Sequence, residues 1–209
     1  MKIAVSYLKS KNTQEETIKK IEQTSADFIH VDLMDGKFVE KNNIDLKLLA
    51  KLLKNTSKKL DLHLMTQDVE PYLEELKKLN PEYITFHIES SCNVEKTIKQ
   101  IKTSNIKVGI ALKPNSQIDL LKPYLTELDQ ILIMSVEPGR GGQSFMPQII
   151  PKLEEIRSLQ KRYHFQINID GGINEETIKQ VKDHVDIIVS GSFICEAENY
   201  EKQIEKLRK

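Results

Sequence analysis

The chain has 209 residues, with 31 lysines and arginines against 31 aspartates and glutamates. That zero net charge denies nucleic-acid and membrane-surface roles the basic excess they need. The length suits one substantial core, and α/β barrels fall within the single-domain range.

Cys92 and Cys195 are the only cysteines. Neither has metal-motif spacing or is assigned a function, and a disulfide framework is not expected. No apolar run approaches a membrane span, and Met1-Lys2-Ile3-Ala4-Val5 enters a strand at once. The expectation is a cytoplasmic protein with neither signal peptide nor membrane association.

Short β-branched runs alternate with longer, charged segments of helical period. Strands are predicted over Ile3–Leu8, Asp27–Met34, Lys59–Met65, Tyr83–His87, Ile106–Leu112, Gln130–Val136, Phe165–Asp170 and Val185–Gly191. Helices are predicted over Thr13–Gln23, Leu46–Lys54, Val69–Leu79, Val94–Ser104, Pro147–Lys161, Glu175–Lys182 and Tyr200–Leu207. A weak one, Gln117–Leu125, is cut short by Pro123. Eight strand–helix units in this length is the count for a (β/α)8 TIM barrel, with residues 1–209 as one domain. An open doubly wound sheet is the rival, and it lacks a G-x-G-x-x-G signature after the first strand.

Barrel chemistry collects at the C-terminal strand ends. The second strand carries His30 and Asp32 on one face, since side chains alternate. A shared cation explains both, because neutral imidazole and carboxylate both offer lone pairs. A half-exposed pair that only hydrogen-bonds explains them too, and this stretch alone does not choose. The third strand adds His63 and the seventh adds Asp170. These four residues are candidate ligands of one divalent ion, with Zn²⁺, Fe²⁺, Mn²⁺ or Co²⁺ better suited than Ca²⁺ or Mg²⁺. Ser6, ending the first strand, either touches a substrate or caps a turn.

Glycines follow strands six to eight, at Gly139-Arg140-Gly141-Gly142, Gly171-Gly172 and Gly191-Ser192. Bare N–H groups in such turns can face a phosphate, and the loops after strands seven and eight are a recurrent barrel phosphate site.

The motifs His30-Val31-Asp32-Leu33-Met34-Asp35-Gly36-Lys37-Phe38-Val39 and Asp61-Leu62-His63-Leu64-Met65 carry a resemblance. So do Met134-Ser135-Val136-Glu137-Pro138 running on through Gly139-Arg140-Gly141-Gly142-Gln143-Ser144-Phe145, Asp170-Gly171-Gly172-Ile173-Asn174, and Ser190-Gly191-Ser192. Nearly end to end, the chain resembles the ribulose-phosphate 3-epimerase family, enzymes of the pentose phosphate pathway on a (β/α)8 barrel. The resemblance puts His30, Asp32, His63 and Asp170 on the family's metal ligands, and Asp32 and Asp170 on its acid/base pair. It puts Ser6, His63 and the three glycine turns on substrate-contacting positions, with Met34, Met65 and Met134 around the reacting carbons. It implies a homodimer or homohexamer.

That chemistry removes a proton from C3 on one face of a ketose and returns one to the other. Asp32 is drawn as base and Asp170 as acid in one direction, with a raised pKa expected for Asp170. An ordinary carboxylate is a weak base for C–H, so the ion is needed to stabilise the enediolate.

The chain departs from the family's usual pattern at Glu40-Lys41-Asn42-Asn43, at Arg140 where an aromatic is usual, and at Lys113 where asparagine is usual. The expected substrate is D-ribulose 5-phosphate. The rivals are a hexulose phosphate such as allulose 6-phosphate, or a phosphosugar-binding barrel without catalysis. His87 is read as a buried, hydrogen-bonded histidine, His164 as lying at the wrong barrel end, His184 as a charged-loop residue and Met146 as core filling.

Overall fold

The computed structural model describes residues 1–91 and 93–209, so Cys92 lies outside the described residues. Eight strands alternate with helices: β1 Lys2–Ser6, α1 Gln14–Glu22, β2 Phe28–Met34, α2 Leu46–Leu53, β3 Lys59–Met65, α3 Glu70–Lys77, β4 Tyr83–His87, α4 Val94–Lys102 and β5 Lys107–Leu112. The second half runs β6 Gln130–Met134, α5 Ile150–Tyr163, β7 Gln166–Asp170, α6 Ile178–Val181, β8 Ile187–Ser190, α7 Ser192–Cys195 and α8 Tyr200–Arg208. Each strand lies parallel to the next, and β8 returns to β1 through Lys2↔Ile187 to Val5↔Ser190, closing the (β/α)8 TIM barrel. Among the described residues, no helix is long and apolar enough to cross a membrane.

Alternation along the strands sorts the core into two parts. Outward residues such as Ile3, Val5, Ile29, Val31, Leu62 and Leu64 are buried beneath the helices, each contributing roughly 1.5–3 kcal/mol of apolar burial. The helices are started by local chemistry. Thr13 and Glu16 form a reciprocal capping box on α1, and Asn93 and Asn199 accept backbone N–H groups of α4 and α8. His164 ends α5 in the left-handed region at φ 58°. It therefore lies just before β7, at the barrel end away from the site, as expected.

The weak fifth helix is a 3-10 turn, Ile118–Leu121, ending ahead of Pro123. Pro147–Ile149 is likewise a 3-10 turn before α5. The predicted helix Glu175–Lys182 is observed as the shorter α6, preceded by a turn in which Asn174 Oδ1 accepts from the N–H groups of Glu176 and Thr177. The single turn α7 has no counterpart among the predicted helices. Met146 is half-buried at the rim rather than filling the core.

Inside the barrel, apolar filling gives way to a polar layer. Asp61, Thr85, Gln130 and Asn168 are all buried. Gln130 Nε2 donates to Asp61 Oδ1 at 3.2 Å and to Thr85 Oγ1 at 2.9 Å, while Asn168 Nδ2 donates to Asp61 Oδ2 at 3.2 Å. Gly109 makes room for this layer, since a Cβ there would run into the Thr85 hydroxyl and lie 3.0 Å from Thr85 Cβ. Gly109→Ala should therefore cost about 1–3 kcal/mol through overpacking. A thermal melt should show Tm lower by about 2–12 °C; an unchanged Tm would mean Thr85 has space to yield.

Candidate active site and metal centre

The cluster is built from three strands. Register pairs His30 with Asp61, Asp32 with His63, and Met34 with Met65 across β2 and β3, while Asp170 ends β7 beside Met134 of β6. Each of His30, Asp32, His63 and Asp170 offers one ligand atom, and all four atoms lie within 4.8 Å of one another. His30 Nε2 stands 3.4 Å from Asp32 Oδ1 and 3.8 Å from Asp170 Oδ2. His63 Nδ1 stands 3.2 Å from the same Asp32 oxygen and 3.7 Å from Asp170 Oδ2.

The residues fit a divalent ion. His30 is fully buried, and its Nε2 has no hydrogen-bond partner among the described residues, an unmet need that burial makes costly. Its Nδ1 lies 2.8 Å from Asp61 Oδ2, so the ring proton belongs there and the Nε2 lone pair faces the cluster. Two imidazoles with two carboxylates make the mixed donor set suited to Zn²⁺-like ions.

Electrostatics point the same way. Burial alone would keep His30 neutral, yet the charges of Asp32 and Asp61 raise it well above the ordinary imidazole value. Burial also works against ionised Asp32, but His30 and His63 hold it far below the usual carboxylate range. For Asp170, burial and the Asp32 charge push the carboxyl up to about 6, the direction expected of the acid partner. A cluster this rich in negative charge calls for positive charge, which protons or a cation supply.

Ser6 caps a turn, one of the two readings considered for it, and also binds a cluster carboxylate. Its Oγ donates to Asp32 Oδ2 at 2.7 Å and accepts from the Leu8 N–H at 3.3 Å. A hollow above the cluster is lined by Ser6, Asp32, Asp170, the three methionines Met34, Met65 and Met134, and all three glycine turns. Gly171 and Gly172 have φ of +123° and +65°, and a Cβ on either would meet Val136 Cγ2 or Phe145 N at 2.6 Å. Only glycine fits at these two positions.

Gly139, Gly141, Gly142, Gly191 and Ser192 line this hollow. Arg140 lies at its edge, where its exposed guanidinium pairs with Glu40 at 2.9 Å. Beside it opens a cleft of about 790 Å³ walled by Phe38, Lys113 and Arg140 among others. Lys113 Nζ sits 4.1 Å above the Phe38 ring, whose other neighbour is His87 at 4.8 Å between centroids. Cys195 is buried, with its thiol 3.4 Å from the Ser6 carbonyl and pushed up to about 12 by burial.

Two outer partners, Asp61 and Glu89, are not among the residues singled out in the sequence. Asp61 is legible in principle, since it precedes His63 by two and shares its inward face. Glu89 carries no pattern of its own. His87 is the buried, hydrogen-bonded histidine expected, and its partner is the ligand candidate His63, with Nε2 to Nε2 at 3.0 Å.

A sequence model of the ribulose-phosphate 3 epimerase family matches residues 2–195. The chain is 37% identical to the ribulose-phosphate 3-epimerase of Synechocystis sp. over 198 residues, covering 92% of this chain and 86% of that protein. It is 34% identical to that of Helicobacter pylori over 212 residues, covering 100% and 97%. Among solved structures, 3-hexulose-6-phosphate synthase from Salmonella typhimurium superposes with a TM-score of 0.71 at 16% identity, over 99% of this chain and 96% of that one. That distant likeness speaks for the barrel alone. With matches of this reach to sequences of one kind, the chain belongs to the ribulose-phosphate 3-epimerase family.

Proposed function

We propose that this epimerase interconverts D-ribulose 5-phosphate and D-xylulose 5-phosphate in the pentose phosphate pathway, with residues 1–209 acting as one catalytic domain. The observation that carries the reading is the gathering of two imidazoles and two carboxylates within 4.8 Å beneath a hollow rimmed by glycine turns. His30, Asp32, His63 and Asp170 hold one divalent ion, of the Zn²⁺, Fe²⁺, Mn²⁺ or Co²⁺ group. When bound, that ion supplies positive charge for the enediolate formed as C3 loses its proton.

The rest is done by side chains. Asp32 removes the C3 proton on one face, with its second oxygen steadied by Ser6. Asp170, whose raised pKa suits an acid, returns a proton on the other. The two stand on β2 and β7, three strands apart around the rim, so the sugar need not turn over. Met34, Met65 and Met134 line the reacting carbons with apolar surface that has no proton to lend. Gly171-Gly172 and Gly191-Ser192 take the phosphate, and Gly139, Arg140, Gly141, Gly142 and His63 complete the substrate contacts. We also propose a cytoplasmic homo-oligomer, a dimer or hexamer, after the family.

One observation favours a second substrate. The open cleft beside the site, with Lys113 and Arg140 on its wall, offers room for a longer ketose such as D-allulose 6-phosphate. Incubating the metal-loaded enzyme in D2O with each sugar phosphate separates the readings. Deuterium at C3 and a pentulose preference of about 10–200-fold in kcat/KM are expected, the range one extra carbon commands. Preference for the hexulose would reassign the substrate, and no exchange with either would leave only a binder.

A further inference from the structure

His63 presents Nδ1 to the cluster, so as a ligand it must carry its proton on Nε2. Among the described residues, the acceptor in reach of that proton is His87 Nε2, at 3.0 Å. Two ring nitrogens facing each other need one proton between them, and here His63 must provide it. His87 can accept only if its own proton sits on Nδ1. That nitrogen lies 3.1 Å from Glu89 Oε2, a carboxylate that only accepts. Glu89 is itself anchored, because its other oxygen accepts from the Lys113 N–H at 2.9 Å and from the Ser116 hydroxyl.

We propose that His87 and Glu89 are positioning residues for the metal centre: Glu89 sets the tautomer of His87, which sets that of His63 and turns its Nδ1 lone pair toward the ion.

The two imidazole ligands are thus oriented in different ways. His30 reaches its carboxylate, Asp61, directly. His63 reaches Glu89 only through a second ring. Strand geometry accounts for the difference. His63 lies opposite Thr85 in the β3–β4 register, so the next inward residue of β4, His87, stands where the far side of the His63 ring points. Phe38 packs against the His87 ring, with centroids 4.8 Å apart. Lys152 Nζ donates to the carbonyls of Lys113, Pro114 and Ser116, at 3.1, 2.6 and 2.7 Å. It thereby fixes the loop that holds Glu89.

The proposal rests on the reading of the four-residue cluster as a metal site, and the test separates the two. Purified chain, stripped of metal, is titrated with Zn²⁺ and Co²⁺ against a chelator of known affinity, and Co²⁺ absorption bands are recorded. Failure of the unaltered chain to bind would remove the metal reading itself.

Given binding, His87→Phe, which keeps the ring but not the acceptor, should weaken affinity about 10–100-fold and alter the Co²⁺ bands. His87→Gln keeps an acceptor oxygen near the Nε2 position and should recover most of the loss. Glu89→Ala lies nearer the surface and provides a second variant should His87→Phe fail to fold. It should weaken affinity in the same direction, and ¹⁵N spectra of the unaltered chain should place the His63 proton on Nε2. Affinities for His87→Phe and Glu89→Ala within about threefold of the unaltered chain, or equal losses in His87→Phe and His87→Gln, would overturn the proposal in favour of simple packing.

Discussion

Asp32→Asn is expected to lower turnover by at least about 10⁴-fold, or about 5.4 kcal/mol of barrier, while leaving the barrel folded. The change removes two things at once. An amide cannot take the C3 proton, and its oxygen is a poorer ligand than a carboxylate. Yet it keeps the volume, and its geometry allows both contacts to persist. Ser6 Oγ can still donate to the side-chain oxygen, and the new Nδ2 can donate to His30 Nε2, which has no partner among the described residues. A cooperative melt, with Tm lowered by no more than loss of the ion itself would cause, should accompany the loss of kcat.

Asp170→Asn should fall as far in turnover but differ in isotope exchange. With Asp32 still present as base, the epimer whose C3 proton faces Asp32 should pick up deuterium slowly without giving the other. The other epimer, whose proton faces Asp170, should not exchange. Near-normal rates in either variant would remove the two-aspartate assignment.

Stripping the ion is the second large effect. A chelator should silence epimerisation, and adding a divalent ion back should restore it. Stability should drop as well, because an ion that binds only the folded chain contributes RT ln(1 + [L]/Kd), about 4.1 kcal/mol at a thousand times Kd. For a domain of this length that corresponds to a Tm lower by about 8–16 °C. The stripped chain should stay folded, since His30 can take up a proton between Asp32 and Asp61 and partly balance the charge. Full activity after metal analysis shows the ion gone would contradict the role given to it.

Much of the site is legible in the amino-acid sequence, and the reason is strand alternation. His30 and Asp32 share an inward face by a period of two, and β-branched flanks mark that strand. The same logic reaches His63 and Asp170. It stops at partners fixed by register between neighbouring strands. Nothing in a single strand says that His63 meets His87, or that Gln130 and Asn168 converge on Asp61. Helices of two or more turns carry a readable period, as in α1 and α4. The one-turn α7 is too short to show one, and α6 is shorter than the Glu175–Lys182 pattern suggests. Gly109 reads as an ordinary strand glycine, because its reason lies on the neighbouring strand, in its register partner Thr85.

The spread of the ligands along the chain bears on how the protein is made. His30 and His63 belong to the first third of the polypeptide, whereas Asp170 is supplied by β7. A nascent chain released only as far as β6 has three of the four donors and an open wall. On the four-donor reading, the complete set is assembled only when the seventh strand docks, late in synthesis, and N-terminal fragments should bind a cation more weakly than the full chain.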